Sequence, residues 1–511
     1  MNNIKFDSLS LSVLSFNKFL ALIMLCILPF ILSSQIQIGD DIDAESALDF
    51  FGFSTAMSND GLIIAISAPF NDEAASNAGH VRVFRRELNS WVQMGEDLDG
   101  IADDDNFGRS VDLSADGTTL IVGADRDDDG FLNAGKINVF NWVNDQWIEK
   151  GSPILGTGSF DLFGKSVAIS SDGNTIAVGA PSNSDAATSS GQIRVFTFEN
   201  GDWVQKGESI NGEKSFDTFG TNLAMSNDGT KLIMGSPLSE DIEAEQGSVK
   251  IYEYVNGEWS KVGITIFGDS AFDRFGSSVA ISGDGTTFAA YSQGNLQNGT
   301  SQGYTRVFTF EEDTWVLKGE TIFGEAEGDG DNPSSSNNIA LSTEGNIVLI
   351  GVRSNDGNGE DAGHARLFEL QNDQWLQVVN DFDGEAAEDL YGHSVCMSGD
   401  AVTIAISARN NEGSGTNAGH VRVFGLEDFL TNIELTKEIN FNIYPNPTFN
   451  EIFISLENQV ILQQALIYNQ RGQLVKTTKE NRILVSDLNT GIYFIEVKTD
   501  QGNASKKIII E

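Results

Sequence analysis

The sequence predicts an all-β protein in which a seven-bladed β-propeller of four-stranded blades is followed by a smaller β module. Three observations predict this fold. Phe-Gly pairs recur at a spacing of 56 residues, each unit contains four short runs rich in β-branched and aromatic residues, and tight Gly-containing turns separate those runs. Short strands joined by tight turns and repeated at a fixed period are typical of propeller blades.

The Phe-Gly repeat divides the chain into seven units. Its pairs begin at Phe51, Phe107, Phe163, Phe219 and Phe275, and the last pair is Tyr391-Gly392. In the sixth unit the pair is replaced by Ser335-Ser336 beside a four-residue insertion. The same period, apart from the insertion, is kept by Trp91, Trp147, Trp203, Trp259, Trp315 and Trp375. Six equivalent tryptophans at one strand position predict a role in blade packing rather than in sugar binding.

The number of strands predicts how the ring closes. Seven third strands face only six Trp-led fourth strands, and the last unit ends at Phe424 without one. Before the first Phe-Gly pair, the segment 35–39 has the spacing of a fourth strand, since Gly39 lies twelve residues ahead of Phe51, as in later units. We therefore expect residues 35–39 to complete the last blade and to cover its exposed edge.

The charge distribution separates the repeat region from the rest of the chain. The 511 residues contain 31 Lys and Arg against 74 Asp and Glu, a formal charge of −43. Residues 35–436 hold 21 of the basic and 65 of the acidic residues, whereas residues 437–511 hold eight of each. Nucleic acids and anionic membranes require clustered Lys and Arg, so the sequence predicts neither as a partner.

Residues 1–34 have the pattern of a secretory signal peptide. Two lysines precede the apolar run Phe19–Leu32, and two serines follow it. Fourteen residues interrupted by Pro29 are too few to span a bilayer, which takes about 20 residues in a helix. Export and cleavage near Ser34 are therefore predicted, with no transmembrane segment in the mature chain, and an uncleaved anchor is the alternative.

The third unit carries the best-preserved motifs, Phe163-Gly-Lys-Ser-Val-Ala-Ile-Ser170 and Gly179-Ala-Pro181. These motifs resemble the FG-GAP repeat of the integrin α-subunit propeller and of many bacterial surface proteins. In that family, calcium binds a long Asp-rich loop between the first two strands of a blade. Here the corresponding connections are short turns such as Ser170–Gly173, so the resemblance does not imply the family's calcium site.

A different calcium site is predicted in the loop that follows Ala124. Asp125, Asp127 and Asp129 alternate ahead of Gly130, as at the start of a calcium-binding loop. The twelfth position, where such loops place a bidentate Glu, is Lys136. Calcium is thus the one cofactor that the sequence suggests, and a solvated acidic loop is the alternative. Strand order places this loop on a rim of the propeller that collects most of the acidic runs.

Two further sets of residues recur too often to form one active site. An Asp recurs two residues before the Phe position at Asp49, Asp105, Asp161, Asp217, Asp273 and Asp389, and a third-strand Arg recurs at Arg82, Arg194, Arg306, Arg366 and Arg422. We expect these carboxylates to accept backbone or Arg hydrogen bonds between blades. His80, His364 and His420 share a third-strand position that should diverge from blade to blade, so structural histidines are expected rather than a shared metal site. His393 stands alone.

From about Phe441 onwards the chain changes character. The residues that mark the new pattern are Tyr444, Pro445, Asn446, Pro447, Gly472, Gly491, Tyr493, Lys506 and Lys507. Their order resembles the type A sorting domain of the type IX secretion system. The resemblance implies a small Ig-like β-sandwich that engages the type IX secretion machinery, directs passage across the outer membrane and is commonly removed at the cell surface. A generic Ig-like domain is the alternative.

These features predict a signal peptide (1–34), a propeller (35–426), a linker (427–441) and a sorting domain (442–511). The predicted protein is secreted, or held on the outer surface of a Gram-negative bacterium, and its propeller acts as a binding or adhesion module for a glycan or protein ligand. The sequence predicts no catalytic residues, because no nucleophile, base and oxyanion donor come together. A polysaccharide lyase or hydrolase that uses the acidic rim is the alternative, and a surface-layer component is a third possibility.

Overall fold

The computed structural model describes residues 36–294, 301–330, 338–426, 441–456, 462–469, 474–486, 488, 490–499 and 502–510. Within these ranges the regular elements are β-strands, and no helix has the length and apolar character needed to cross a membrane. Seven antiparallel sheets, each of four main strands and a short fifth strand, form the blades of a propeller. The predicted signal peptide and residues 427–440 of the predicted linker lie outside the described residues.

The seven blades share one strand order, and they are numbered here by the Phe-Gly position that each contains. The inner strands are Thr55–Met57, Phe107–Leu113, Ser166–Ile169, Asn222–Met225, Ser278–Ile281, Ile339–Leu341 and Tyr391–Met397. The second strands are Ile63–Ala68, Thr119–Ala124, Thr175–Ala180, Lys231–Ser236, Thr287–Ser292, Ile347–Val352 and Thr403–Ala408. The third strands are His80–Glu87, Lys136–Val143, Gln192–Glu199, Ser248–Val255, Tyr304–Glu311, His364–Gln371 and His420–Gly425.

Two outer segments of each blade pair with its third strand. The fourth strands are Ser90–Gln93, Gln146–Glu149, Asp202–Gln205, Glu258–Lys261, Thr314–Leu317, Gln374–Gln377 and, in blade 7, Ile36–Gln37. The short fifth strands are Leu98–Asp99, Ile154–Leu155, Ile210–Asn211, Ile266–Phe267, Ile322–Phe323, Phe382–Asp383 and, in blade 7, Ile42–Asp43.

Strands from the two ends of the repeat region meet in blade 7. Ile36 pairs with Gly425 and Gln37 with Phe424, and the N–H of Ile38 donates to the carbonyl oxygen of Val423 at 2.8 Å. The inner strands of neighbouring blades are also in contact all the way round, including those of blades 7 and 1. The ring is therefore closed, and the edge of the last sheet is covered.

A ring of backbone hydrogen bonds surrounds the axis on the face where the inner and second strands are joined. The residues in this ring are Asn59, Ala115, Ser171, Asn227, Gly283, Thr343 and Gly399. Each donates its N–H to the carbonyl oxygen of the next at 2.8–3.0 Å, and Gly399 donates to Asn59. Because every hairpin uses one donor and one acceptor, the cycle joins all seven blades at this end of the channel.

The Phe-Gly position and the Gly that opens the third strand keep one period because they touch. Gly135 of blade 2 pairs with Phe163 of blade 3, and a Cβ on Gly135 would lie 2.0 Å from the Phe163 carbonyl oxygen. Gly135 also has a φ of +83°, which favours glycine. Gly419 approaches Phe51 in the same way, so this contact too connects blade 7 to blade 1.

The repeated tryptophans join neighbouring blades. Trp91 Nε1 donates to the carbonyl oxygen of Ile38 at 2.9 Å, and Trp203 Nε1 donates to that of Lys150 at 2.7 Å. Equivalent bonds are made by Trp147, Trp259, Trp315 and Trp375. Each indole thus satisfies a backbone acceptor of the preceding blade, and the predicted packing role is confirmed.

The C-terminal part contains two antiparallel sheets. One consists of Phe441–Tyr444, Glu451–Leu456 and Arg482–Leu484, and the other of Leu462–Asn469, Leu474–Thr478, Gly491–Thr499 and Gly502–Ile510. Side chains from both sheets, among them Ile452, Ile467 and Ile495, share one buried hydrophobic cluster. The two sheets therefore form a two-layer module, and its Ig-like character stays a prediction.

Candidate functional site

Basic side chains converge at the end of the channel opposite the hairpin ring. Inner strands begin and second strands end at this face. The group, called the channel mouth below, consists of Phe53, Arg109, Asp125, Lys165, Arg353, His393 and Arg409. Arg109 and His393 lie at the start of inner strands, whereas Arg353 and Arg409 directly follow second strands. Five blades, numbers 6, 7, 1, 2 and 3, contribute to this group.

The ring of Phe53 contacts several of the other side chains of the channel mouth. His393 packs edge-on against it, with ring centroids 5.2 Å apart. The guanidinium carbons of Arg109 and Arg409 lie 4.4 Å and 5.6 Å from the Phe53 centroid. Arg353 Nη1 lies 3.2 Å from His393 Nδ1. These contacts run without a break from blade 6 to blade 2, and they place two guanidinium groups around one aromatic ring, with the third held against His393.

One carboxylate faces these cations. Asp125 Oδ2 lies 3.3 Å from Arg109 Nε and 3.5 Å from Lys165 Nζ. Asp125 is 3% exposed, and its Oδ1 has no hydrogen-bond partner among the described residues. Within this group, four cationic side chains, those of Arg109, Lys165, Arg353 and Arg409, accompany the carboxylate of Asp125, and the charge of Asp361 acts on Arg353 from outside the group. The channel mouth carries excess positive charge within a repeat region whose net charge is strongly negative.

Burial makes these charges costly. Burial, together with the nearby charge of Arg109, lowers the pKa of Lys165 to about 8. Burial also lowers the pKa of Arg353 to about 9, helped by the charge of Arg409. For His393, burial and the neighbouring arginines hold the pKa well below its ordinary value, so the imidazole is neutral at pH 7. Partly desolvated like charges destabilise one another, and a bound anion would relieve that repulsion.

A lone carboxyl group lies in the inner strand of blade 2. Asp112 occupies a position that is Ala in five other blades and Cys396 in blade 7. Its two oxygens accept hydrogen bonds from the backbone N–H groups of Ile169 and Leu113, both at 2.9 Å. Burial nevertheless raises the pKa of Asp112 to about 7. The bond to Ile169 joins the inner strands of blades 2 and 3.

The three predicted calcium ligands have cationic partners within the chain. Lys136 Nζ contacts Asp127 and lies 2.7 Å from Asp129 Oδ2, while Asp125 belongs to the channel mouth. Lys136 is the residue that stands where a calcium loop would place its bidentate Glu. Calcium at this loop stays a prediction, and binding there would have to displace the Lys136 ammonium group.

The repeated aspartates hold the loops between blades. Asp273 Oδ2 accepts from the N–H of Ser270 at 3.1 Å and from the Tyr304 hydroxyl at 3.0 Å, and Asp161 Oδ2 accepts from Asn183 Nδ2 at 3.0 Å. In blade 6, where the repeated Asp is missing, Asp329 accepts two backbone N–H bonds at 2.9 Å. The expectation of backbone bonds is confirmed.

The expected pairing of these aspartates with the repeated arginines is wrong. Arg194 lies over the Phe163 ring at 5.1 Å and donates to the carbonyl oxygen of Leu155 at 3.0 Å. Arg422 lies over the Tyr391 ring at 4.3 Å and donates to the carbonyl oxygen of Asp383 at 2.6 Å. The planar guanidinium group stacks on the aromatic ring, which directs its N–H groups to the fifth strand of the preceding blade.

The histidines are not brought to a common point. His80, His364 and His420 are buried at the start of three separate third strands, as expected, and each faces its own carboxylates. Burial lowers the pKa of His80 and His364 to about 4, so both rings are neutral at pH 7.

Several predicted sorting-domain residues meet around the last strand. Asn446 Nδ2 donates to the carbonyl oxygen of Lys507, and Asn446 Oδ1 accepts from the N–H of Ile509, both at 2.9 Å. Lys506 Nζ contacts the carbonyl oxygen of Phe441. Tyr444 stacks on Phe453, and Tyr493 is buried. Pro445, Pro447 and Gly491 lie next to these residues in the chain. Gly472 lies outside the described residues. The Tyr-Pro-Asn-Pro segment therefore fastens the C-terminal strand.

Sequence reasoning missed the channel mouth. Its charged residues occupy two positions of the repeat at which most other units have an uncharged residue. Asp125, Arg353 and Arg409 replace the Pro of the Gly-Ala-Pro motif, and Arg109 and Lys165 lie two residues after the Phe. An alignment of the seven repeat units with one another would have revealed these charged exceptions.

Two sequence families match parts of the chain. Residues 442–511 match the secretion system C-terminal sorting domain, and residues 99–140 and 156–196 match the FG-GAP repeat. No curated protein matches the chain. Among solved structures, a candidate 6-phosphogluconolactonase from Bacteroides uniformis is 14% identical with a TM-score of 0.44, covering 65% of this chain and 85% of that one. The periplasmic gluconolactonase of Pseudomonas aeruginosa is 13% identical with a TM-score of 0.43 and the same coverage. The chain thus carries FG-GAP repeats within a propeller, followed by a type IX secretion C-terminal sorting domain.

Proposed function

We infer that this protein works outside the cell, secreted or attached to the surface, as a binding or adhesion module that holds an anionic group of its ligand at the channel mouth. Export is supported by the sorting domain at residues 442–511, which also implies handling by the type IX secretion machinery. The observation that carries the binding role is the group of four cations at the channel mouth, of which Arg109 and Arg409 pack on Phe53, and Arg109 and Lys165 contact Asp125.

A ligand carboxylate, sulfate or phosphate group suits this cluster. Guanidinium groups donate paired hydrogen bonds to such anions, and the bonds strengthen where water is partly excluded. The buried Phe53 ring packs against Arg109 and Arg409 and holds their guanidinium groups in place. The acidic loops on the surrounding rim repel densely charged polyanions, so the preferred ligand has few negative groups on a neutral body. A glycan with isolated acidic groups fits this description.

The test is an array in which each acidic oligosaccharide is paired with its neutral parent, probed with the purified protein. We expect binding to at least one acidic member and at least tenfold weaker binding to its parent. Arg353→Gln should abolish the preference. Arg306→Gln should retain it, because Arg306 contacts Asp269 and lies in blade 5, which contributes no residue to the channel mouth. Equal binding to both members of every pair, or a preference untouched by Arg353→Gln, would overturn the proposal.

A second candidate function, a polysaccharide-acting enzyme, is favoured by Asp112. A carboxyl group whose pKa is about 7 is matched to proton transfer near neutral pH. If the protein is an enzyme, Asp112→Asn should abolish turnover while leaving binding of the acidic oligosaccharide intact. Asp172→Asn, in a hairpin turn, is the matched control. A glycan that stays at its original length with the unaltered protein would exclude this function for that glycan.

A further inference from the structure

Three clusters that each combine a buried histidine with carboxylates repeat around blades 6, 7 and 1. They are His80 with Asp97, Glu45 and Glu73, His364 with Asp381 and Glu325, and His420 with Asp41 and Glu385. In each cluster the ligand atoms lie within 4.8 Å of one another. These groups, called the His clusters below, lie outside the channel mouth and are independent of the proposed ligand.

The propeller builds each His cluster from the same three places. The histidine opens a third strand, and the Asp lies just ahead of the fifth strand that pairs with it. The Glu comes from the loop after the fifth strand of the preceding blade. In blade 1, for example, His80 and Asp97 belong to one blade and Glu45 follows the fifth strand of blade 7. Each cluster therefore connects two blades.

The spacing within the clusters is that of ligands around a metal ion. His80 Nδ1 lies 3.7 Å from Asp97 Oδ2, His364 Nδ1 lies 3.6 Å from Asp381 Oδ2, and His420 Nδ1 lies 3.3 Å from Asp41 Oδ2. Two ligands about 2.1 Å from a tetrahedral zinc ion stand about 3.4 Å apart, whereas an N–H···O hydrogen bond is about 2.9 Å long.

In other blades, the side chain at the first position of the third strand forms an ordinary hydrogen bond. Lys136 reaches Asp129 at 2.7 Å, Gln192 reaches Asn211 at 2.9 Å, and Tyr304 reaches Asp273 at 3.0 Å. His80, by contrast, is fully buried, and neither of its ring nitrogens has a hydrogen-bond partner among the described residues. A buried imidazole that faces carboxylates without bonding to them points to a missing cation.

The charge of the clusters leaves room for a divalent cation. Arg82 lies 3.4 Å from Glu45 Oε1 and 3.7 Å from Asp97 Oδ1, while His80 faces the other oxygen of Asp97. Arg366 and Arg422 contact Glu325 and Glu385 in the same way, at 3.5 Å and 3.4 Å. One guanidinium charge against two or three carboxylates leaves each cluster with a net negative charge when its imidazole is neutral.

We propose that each His cluster binds one divalent transition-metal ion, with zinc as the best match, and that the three ions fasten blades 5, 6, 7 and 1 to one another. Imidazole and carboxylate are both zinc ligands, and the fourth position is left to Glu73 in the first cluster and to water in the other two. Metal binding to the folded state alone stabilises it by mass action.

The test uses the purified full-length protein, freed of metal with a chelator and titrated with zinc against a chromophoric competitor. We expect three zinc ions per chain, two for each of the single variants His80→Gln, His364→Gln and His420→Gln, and none for the triple variant. Gln is chosen because Gln192 occupies this position in blade 3. His393→Gln, which changes the fourth histidine, should still bind three.

Zinc should also raise the melting temperature of the unaltered protein and leave that of the triple variant unchanged. X-ray absorption of the zinc-loaded protein provides a measurement that needs no variant, and it should show a shell of nitrogen and oxygen with imidazole scattering. The proposal is overturned if fewer than three zinc ions bind per chain at micromolar free zinc, or if the His→Gln variants bind as many ions as the unaltered protein.

Discussion

Removing one cation from the channel mouth should stabilise the ligand-free protein, and Lys165→Met is the sharpest case. Burial and Arg109 lower the pKa of Lys165 from 10.5 to about 8. Since one pKa unit corresponds to about 1.4 kcal/mol, a protonated Lys165 costs the folded state about 3 kcal/mol at neutral pH. Methionine keeps most of the apolar stem without the charge, and Asp125 keeps its contact with Arg109 at 3.3 Å.

The pH dependence separates a charge effect from a packing effect. Below pH 8 the lysine is protonated in both the folded and the unfolded states, so the gain from Lys165→Met is complete. As the pH rises from 8 towards 10.5, the folded state loses its proton first and the gain shrinks. Above that range the lysine is neutral in both states, and the variant and the unaltered protein should be equally stable.

Urea unfolding followed by tryptophan fluorescence measures this effect, because all seven tryptophans lie in the repeat region. The titrations compare Lys165→Met with the unaltered protein at pH 7 and pH 10.5, with Lys261→Met, an exposed residue of blade 4, as the control. The control should change the free energy of unfolding by less than about 0.5 kcal/mol. A Lys165→Met variant that is destabilised at pH 7, or shifted equally at both pH values, would refute the reasoning.

Three further outcomes are expected. The first is for Ile38, which is 3% exposed and lies next to the strand that closes the ring. Ile38→Ala should lower the free energy of unfolding, measured by the same urea titration, by about 2–5 kcal/mol. A loss below about 1 kcal/mol would contradict a role of Ile38 in closing the ring. Trp203→Phe removes the 2.7 Å bond to the Lys150 carbonyl oxygen and should cost about 1–3 kcal/mol, so an unchanged midpoint would argue against it. Deleting residues 442–511 should abolish export in cell fractionation while leaving the urea midpoint of the repeat region unchanged, and secretion of the shortened protein would show that another signal suffices.

The blades could be predicted because their determinants lie close together in the chain. Each hairpin is specified by a short turn, as where Ser170 Oγ donates to Asp172 Oδ1 at 2.6 Å and accepts from the N–H of Thr175 at 2.9 Å. Hydrogen bonds of this range depend on local sequence, so strand number and order follow from the repeat. The order of motifs after Phe441 identified the sorting domain in the same way.

The partners of the polar side chains could not be predicted. Arg194 stacks on Phe163 and bonds to the backbone of another blade, although an aspartate was a reasonable partner by charge alone. The channel mouth joins Arg109 to Arg353 and Arg409, which are hundreds of residues away in the chain. Such choices depend on distances between blades, which the repeat period does not contain.

By itself, the sequence determined the strands, the turns, the seven units and the C-terminal sorting motif, because each of these depends on residues within a few tens of positions. Only the tertiary structure decided which of the residues that depart from the repeat pattern come into contact with one another. Closing seven blades into a ring brings the start of every inner strand to one axis, and it places Glu45 of one blade junction beside His80 and Asp97 of the next blade. The positive channel mouth and the His clusters are consequences of that closure.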